Sequence, residues 1–183
     1  MAVKTVDVQI GPAIVEFGTT DPVVFNITKG GIVLSHEDSV QDVTVDQYGE
    51  TPVKSILTGR TATVTVPFAV YDLEKLVRAI PNSELVTDTA NPAKKQLIVK
   101  GSSGYNLLNN GDKLVIKPTD PTATPNDWVT VPVAVPSTQI ELTYDNETER
   151  IYNVTFRAFP DMDNGDALFI FGDTTATEDT RDE

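Results

Sequence analysis

The sequence predicts a mainly β fold: an antiparallel β-sandwich or partly open barrel with one short α-helix packed on it. Three observations carry this. Short runs with period-2 alternation dominate, and Gly, Pro, Asn and Asp clusters separate them. Several of these runs set a threonine-rich polar face against an apolar one, which suits antiparallel strands wet on one side. Helical spacing of apolar residues is credible once, from Asp72 to Ile80.

Along the chain, Lys29-Gly30-Gly31 is a turn leading into Ile32-Val33-Leu34. Asp42, Thr44 and Asp46 then oppose Val43 and Val45, and a long loop is expected from Asp46 to Arg60. Loops beyond about 12 residues in compact domains tend to be functional or disordered. Pro52, Val53, Ile56 and Leu57 speak against disorder here. A strand over Thr61 to Phe68 follows, with Thr61, Thr63 and Thr65 facing away from Ala62, Val64 and Val66.

In the predicted helix, Leu73, Leu76, Val77 and Ile80 form the buried stripe, while Lys75 and Arg78 stay on the solvent side. Asp72 caps the first turn, and Pro81 stops the helix. Gln96–Lys100 and Lys113–Lys117 read as strands around the turns Gly101–Gly104 and Asn109–Asp112, the second offering residues that tolerate positive φ. Pro118, Pro121 and Pro125 make the stretch up to Asp127 an extended surface loop. Pro132 and Pro136 confine their segment to a sheet edge. Gln139–Asp145 buries Ile140, Leu142 and Tyr144; Ile151–Ala158 exposes Asn153, Thr155 and Arg157. The tail from Asp173 to Glu183 is acidic, without apolar periodicity, and is expected to be mobile. Residues 1–172 read as a single domain.

At 183 residues and 39% hydrophobic content, one domain can bury about 70% of its unfolded surface. No run approaches the ~18 apolar residues of a membrane span. Asp7 falls where a signal peptide needs its apolar region, so synthesis in a cytoplasm is expected. With no cysteine there are neither disulfides nor thiolate metal sites. A net charge of −13 opposes gripping nucleic acid, which calls for a basic stripe.

Catalytic patterns do not assemble. Ser35-His36-Glu37 is no triad, because neighbours on a strand point to opposite faces; His36 is expected at solvent or an interface. Asp161-Met162-Asp163-Asn164-Gly165-Asp166 departs from a calcium loop, with Gly165 one place early and Gly172 where a bidentate glutamate belongs. A tight acidic turn is the simpler reading. Glu147 and Glu149 are paired carboxylates without a cleft. Trp128 is alone, where stacking platforms use several aromatics. No enzyme activity, cofactor or metal is expected.

The order Val43-Thr44-Val45-Asp46-Gln47-Tyr48-Gly49-Glu50-Thr51-Pro52-Val53, then Gly59-Arg60, a strand and a single helix resembles the tail tube (major tail) proteins of long-tailed bacteriophages, closest to the sheathless, flexible-tailed siphophage type. The resemblance covers well under half of the chain closely. It implies a structural virion protein, made in the bacterial cytoplasm, that polymerises as stacked hexameric rings into a tail tube for DNA delivery. The implied partners are further copies of itself, the tape-measure, tail-terminator and distal tail proteins, and double-stranded DNA passing through without specific binding. No membrane insertion is implied. The segment Asp46, Gln47, Tyr48, Gly49, Glu50, Thr51, Pro52, Val53, Ile56 and Leu57 would be the inter-ring loop. Polar strand faces would line the lumen: Asp42, Thr44, Thr61, Thr63, Thr65, Glu141, Thr143, Asn153, Thr155 and Arg157, with Arg157 neutralised by a neighbouring acid. The competing reading is a non-enzymatic β-sandwich binding module for carbohydrate or a receptor.

Overall fold

The computed structural model describes residues 10–137 and 149–176. The strands are β1 (Ala13–Phe17), β2 (Val23–Phe25), β3 (Val33–Thr44), β4 (Pro52–Phe68), β5 (Ser83–Thr87), β6 (Lys95–Val99), β7 (Asp112–Pro118), β8 (Val129–Pro136), β9 (Tyr152–Phe159) and β10 (Ile170–Phe171), with α1 (Leu73–Ala79) between β4 and β5. An antiparallel sheet runs β2-β1-β7-β8-β9-β4-β3, with β10 added on β8, and β5–β6 form a separate hairpin. The fold is mainly β with one short α-helix, as the alternation predicts.

The large sheet curls on itself. Phe17 of β1 meets Phe156 of β9 at a ring-centroid distance of 4.8 Å, and Phe25 of β2 meets Phe68 of β4 edge to face at 5.1 Å. A single bridge between Thr28 and Phe68 nearly brings the two sides together, but the barrel stays open. Inside the curl lie Val15, Phe17, Phe25, Ala62, Val64, Val66, Phe68, Leu114, Val131, Val154 and Phe156, all essentially inaccessible. These are the inward members of the alternating runs, so period 2 in the sequence becomes one face of one sheet.

Helix α1 packs against β2 and the β5–β6 hairpin. Asp72 Oδ1 accepts from the Glu74 and Lys75 amides at 3.0 and 3.4 Å, the cap that its position predicts. The stripe differs in detail. Leu76 and Ile80 are buried together with Ala79, whereas Leu73 and Val77 are only half-buried. Lys75 does not simply point to solvent, because its Nζ stands 5.3 Å from the centroid of Phe68. Arg78 is exposed and reaches toward Asp112 at 3.9 Å.

Two expectations from proline and glycine need correction. Strand β8 is not an edge: it lies between β7 and β9. Pro132 fits because the β7–β8 register is irregular between Asp112 and Leu114, where a missing N–H breaks no regular ladder. Pro136 ends the strand. Gly111 has an ordinary φ of −71° and is required for space rather than freedom. A Cβ there would come within 3.1 Å of the Leu108 carbonyl and 3.3 Å of Val135 Cγ2. This close approach seats the turn Leu107–Asn110 over Val133 and Val135, on the side of β8 away from the core.

Asp161 to Ala167 forms the tight acidic turn. The Asp161 carboxylate accepts from Asp163 N at 3.2 Å and Asn164 Nδ2 at 2.8 Å, and Asp161 pairs with Ala167 through the backbone. The start of the tail is folded rather than loose: Gly172 N donates to the Trp128 carbonyl at 2.9 Å, and Asp173 closes a turn with Thr175. Positions 177–183 lie outside the described residues, as do the predicted strand Gln139–Asp145 and Glu147.

Candidate functional site: a projecting arm and an open polar face

The segment Asp46–Arg60 is not a long loop. Only positions 45–51 form a turn, with a 3-10 stretch at Asp46–Tyr48, and from Pro52 the chain is strand. Strands β3 and β4 pair over Val33–Thr44, whereas β9 pairs β4 only from Thr63 to Phe68. Beyond Ala62 the two strands therefore leave the body as a two-stranded arm. At about 3.3 Å per residue it projects roughly 30 Å. Every residue from Ser35 to Thr61 is exposed. Gly49 sits at the tip with φ 60°, a conformation that favours glycine.

The arm is irregular in a defined way. Ser39 pairs with Gly59 and Val40 with Leu57, which leaves Thr58 as an extra residue in β4. The Thr58 hydroxyl donates to the Ser39 carbonyl at 3.0 Å, so the bulge carries its own hydrogen bond. A second irregularity falls between Val43 and Thr44. Directly paired residues share a face, so one face carries Asp38 with Arg60, Val40 with Leu57, and Asp42 with Ser55. The other carries Gln41 with Ile56 and Val43 with Lys54. Each face thus displays an apolar pair, Val40/Leu57 on one and the diagonal Val43/Ile56 on the other. Their exposures run from 38% to 59%, and Val45, Tyr48 and Val53 extend the apolar surface at the tip.

Polar contacts hold this ribbon. Arg60 donates to both carboxylate oxygens of Asp38 at 2.6 and 2.9 Å, and Ser55 Oγ donates to Asp42 at 2.6 Å. Hydrogen bonding from Arg60 holds the Asp38 carboxyl below its usual range. A depressed carboxylate pKa favours the paired form above the ordinary aspartate range, and that contribution fades as pH falls through it. The outer edge of β3 has no partner strand among the described residues, and neither lysine nor proline blunts it.

The predicted lumen residues divide. Thr63 pairs with Arg157, Thr65 with Thr155, and Pro67 with Asn153, so these polar residues share the face opposite the core. Thr61 continues that face through its pairing with Glu37, as Ser35 does opposite Thr63. Asp42 and Thr44 do not belong to it. They alternate in phase with Leu34, which packs against the core, and so take the opposite face of β3. Glu141 and Thr143 lie outside the described residues. Arg157 meets no carboxylate among the described residues; its guanidinium stands 5.8 Å from the Phe159 ring centroid. The face therefore holds Ser35, Thr61, Thr63, Thr65, Asn153 and Thr155, with Glu37 and Arg157 as opposite charges.

His36 is exposed at the root of the arm, 5.6 Å from Phe169. Trp128 has a structural partner, since Lys117 Nζ stands 4.5 Å from its ring centroid and 2.5 Å from Glu16. Among the described residues there is no group of three metal-ligating side chains, and no helix long and apolar enough to cross a membrane. The arm's two-faced apolar pattern, hidden in the sequence by the Thr58 bulge, is the main addition from the structure. A scan of the sequence against protein-family models finds no match, and a search of curated proteins likewise finds none.

Proposed function

We propose that this protein is a structural subunit that polymerises into a tube, in the manner of a siphophage tail tube that conducts genome DNA. The observation that carries the reading is the arm: a projecting β-ribbon with apolar pairs on both faces that no described residue of its own subunit covers. The β3 edge, which has no partner strand among the described residues, supports the same reading, because an unpaired edge is a template for another copy. Head-to-tail pairing that closes gives a ring, and closure removes the edges. The six-fold count, the phage setting and the tape-measure, terminator and distal tail partners rest on the resemblance of the Val43–Arg60 segment.

The test is negative-stain microscopy and sedimentation of the purified protein beside a trimmed form. In the trimmed form Val40–Thr58 is replaced by Asn-Gly, which joins the paired Ser39 and Gly59 through a favoured two-residue hairpin turn. The intact protein is expected to form rings or tubes, and the trimmed one to stay monomeric with an unchanged melting transition. Normal tubes from the trimmed form would remove the arm from assembly. Persistent monomers of the intact protein would favour the binding-module reading.

The open polar face is proposed to line the lumen. Its charges, Glu37 and Arg157, offset each other, and threonine hydroxyls keep the wall wet. Duplex DNA carries one charge per ~1.7 Å, so a cationic wall would bind it through counterion release. Thr63→Lys with Thr155→Lys in a virion is expected to leave tails assembled and slow DNA ejection. Ejection at the native rate would overturn the lumen assignment.

A further inference from the structure

The arm and the β5–β6 hairpin stand at opposite ends of β4. The arm tip lies beyond Pro52, and helix α1 follows directly after the Phe68 end. Lys95 Nζ, on the hairpin, meets Glu74 of α1 at 2.5 Å, and the neighbouring Lys75 covers the Phe68 ring, which ties the hairpin to that end. The 17 residues of β4 span about 50 Å at the usual rise. An arm tip therefore does not meet the hairpin of its own subunit.

The arm is acidic, whereas the β5–β6 hairpin, residues 83–100, carries Lys94, Lys95 and Lys100 against Glu84 and Asp88. The arm carries Glu37, Asp38, Asp42, Asp46 and Glu50 against Lys54 and Arg60, and only Asp38 forms an ion pair among the described residues. In a chain with 14 Lys and Arg, three lysines gather between positions 94 and 100. Lys95 and Lys100 are held by Glu74 and Glu84, while Lys94 has no ion-pair partner among the described residues. The ladder places Val86 and Ile98 on the hairpin face turned away from Leu97, with exposures of 36% and 41%. At the arm tip, Tyr48 and Val53 are 67% and 48% exposed beside Asp46 and Glu50. Acid beside apolar surface on one end matches lysine beside apolar surface on the other.

We infer that the arm tip of one copy docks on the β5–β6 hairpin of the next, with Asp46 and Glu50 against Lys94 and with Tyr48 and Val53 against Val86 and Ile98. The inference rests on the tube reading and deepens it by naming the receiving surface. Because the two patches lie at opposite ends of β4, one such contact leaves a free arm on one copy and a free hairpin on the other, so it can repeat head to tail along one axis. Charge complementarity sets which end meets which, since like charges brought together at such a contact are repelled.

The experiment compares the intact protein with Lys94→Glu, with Asp46→Lys/Glu50→Lys, and with all three changes combined. Critical concentration is read by sedimentation, and folding by thermal melting. Each one-sided reversal is expected to raise the critical concentration at least about ten-fold without moving the melt. The combined variant is expected to regain most of the loss, and its recovery would show that neither reversal spoils the subunit. If the intact protein forms tubes but either reversal has no effect, or the combination does not recover, this contact is wrong and the tube reading stands. If the intact protein never assembles, both fail.

Discussion

Phe156→Ala should cost about 3–5 kcal/mol of subunit stability, a large share of the roughly 5–15 kcal/mol of an ordinary domain. Phe156 is 1% exposed and is the ring at which the two sides of the curled sheet meet. It contacts Phe17 of β1 at 4.8 Å and Phe25 of β2 at 6.2 Å between ring centroids. Truncation would remove both contacts and leave a cavity between strands that no direct ladder joins, so collapse would require the curl itself to tighten. Thermal melting should be read on the arm-trimmed subunit, where assembly cannot contribute stability. Leu76→Ala, which takes an anchor from α1, is the comparison at about 2–5 kcal/mol. A Phe156→Ala melt within about 1 kcal/mol of the parent would show that the sheet holds its curvature by backbone pairing alone.

The second large effect concerns the arm. Under the assembly proposed above, placing charge on either face should prevent tubes: Val40→Asp with Leu57→Asp on one face, Val43→Asp with Ile56→Asp on the other. Fully burying a Val, Ile or Leu contributes about 1.5–3 kcal/mol, and these residues are about half exposed in the subunit, so each pair is worth roughly 1.5–3 kcal/mol at a contact. That is a factor of about 10–10² in the association constant before any cost of burying carboxylates. The subunit's melt should not move, because these four residues are exposed and outside the core. Sedimentation of both variants decides the matter. If one face tolerates charge while the other does not, the arm lies against a single surface of its neighbour.

The core was legible because alternation in Thr61–Phe68 and Ile151–Ala158 is strict where one face is buried and the other wet. The helix was legible from Asp72, Leu76 and Ile80, although the small Ala79 gave no signal and is wholly buried. Pro132 escapes the edge-strand rule because it sits in a bulge of β8, where Pro132 and Val133 together face Lys113 and a missing donor is tolerated, and bulges leave no mark in one sequence. The sequence reads as a loop over the arm for two physical reasons. Both of its faces are apolar in part, which destroys the period-2 contrast, and Thr58 shifts the phase between Leu57 and Thr61. Side-chain chemistry alone groups Asp42 and Thr44 with the polar face. Carrying the alternation back along β3 to Leu34 puts them on the other side.

Strand β4 is unbroken from the arm tip to Phe68, and this gives the subunit a mechanical axis. A tension applied at the arm and directed along β4 loads the six cross-strand positions shared with β9 in parallel, since ladder hydrogen bonds lie across the strand. Such a ladder must shear as a unit. The same force turned through a right angle would peel the bonds one after another, starting at Thr63. The chain is accordingly stiff under pull along the arm and weak under sideways bending at its root and at the Thr58 bulge a few residues beyond it. A polymer of such units would resist stretching while it yields to curvature.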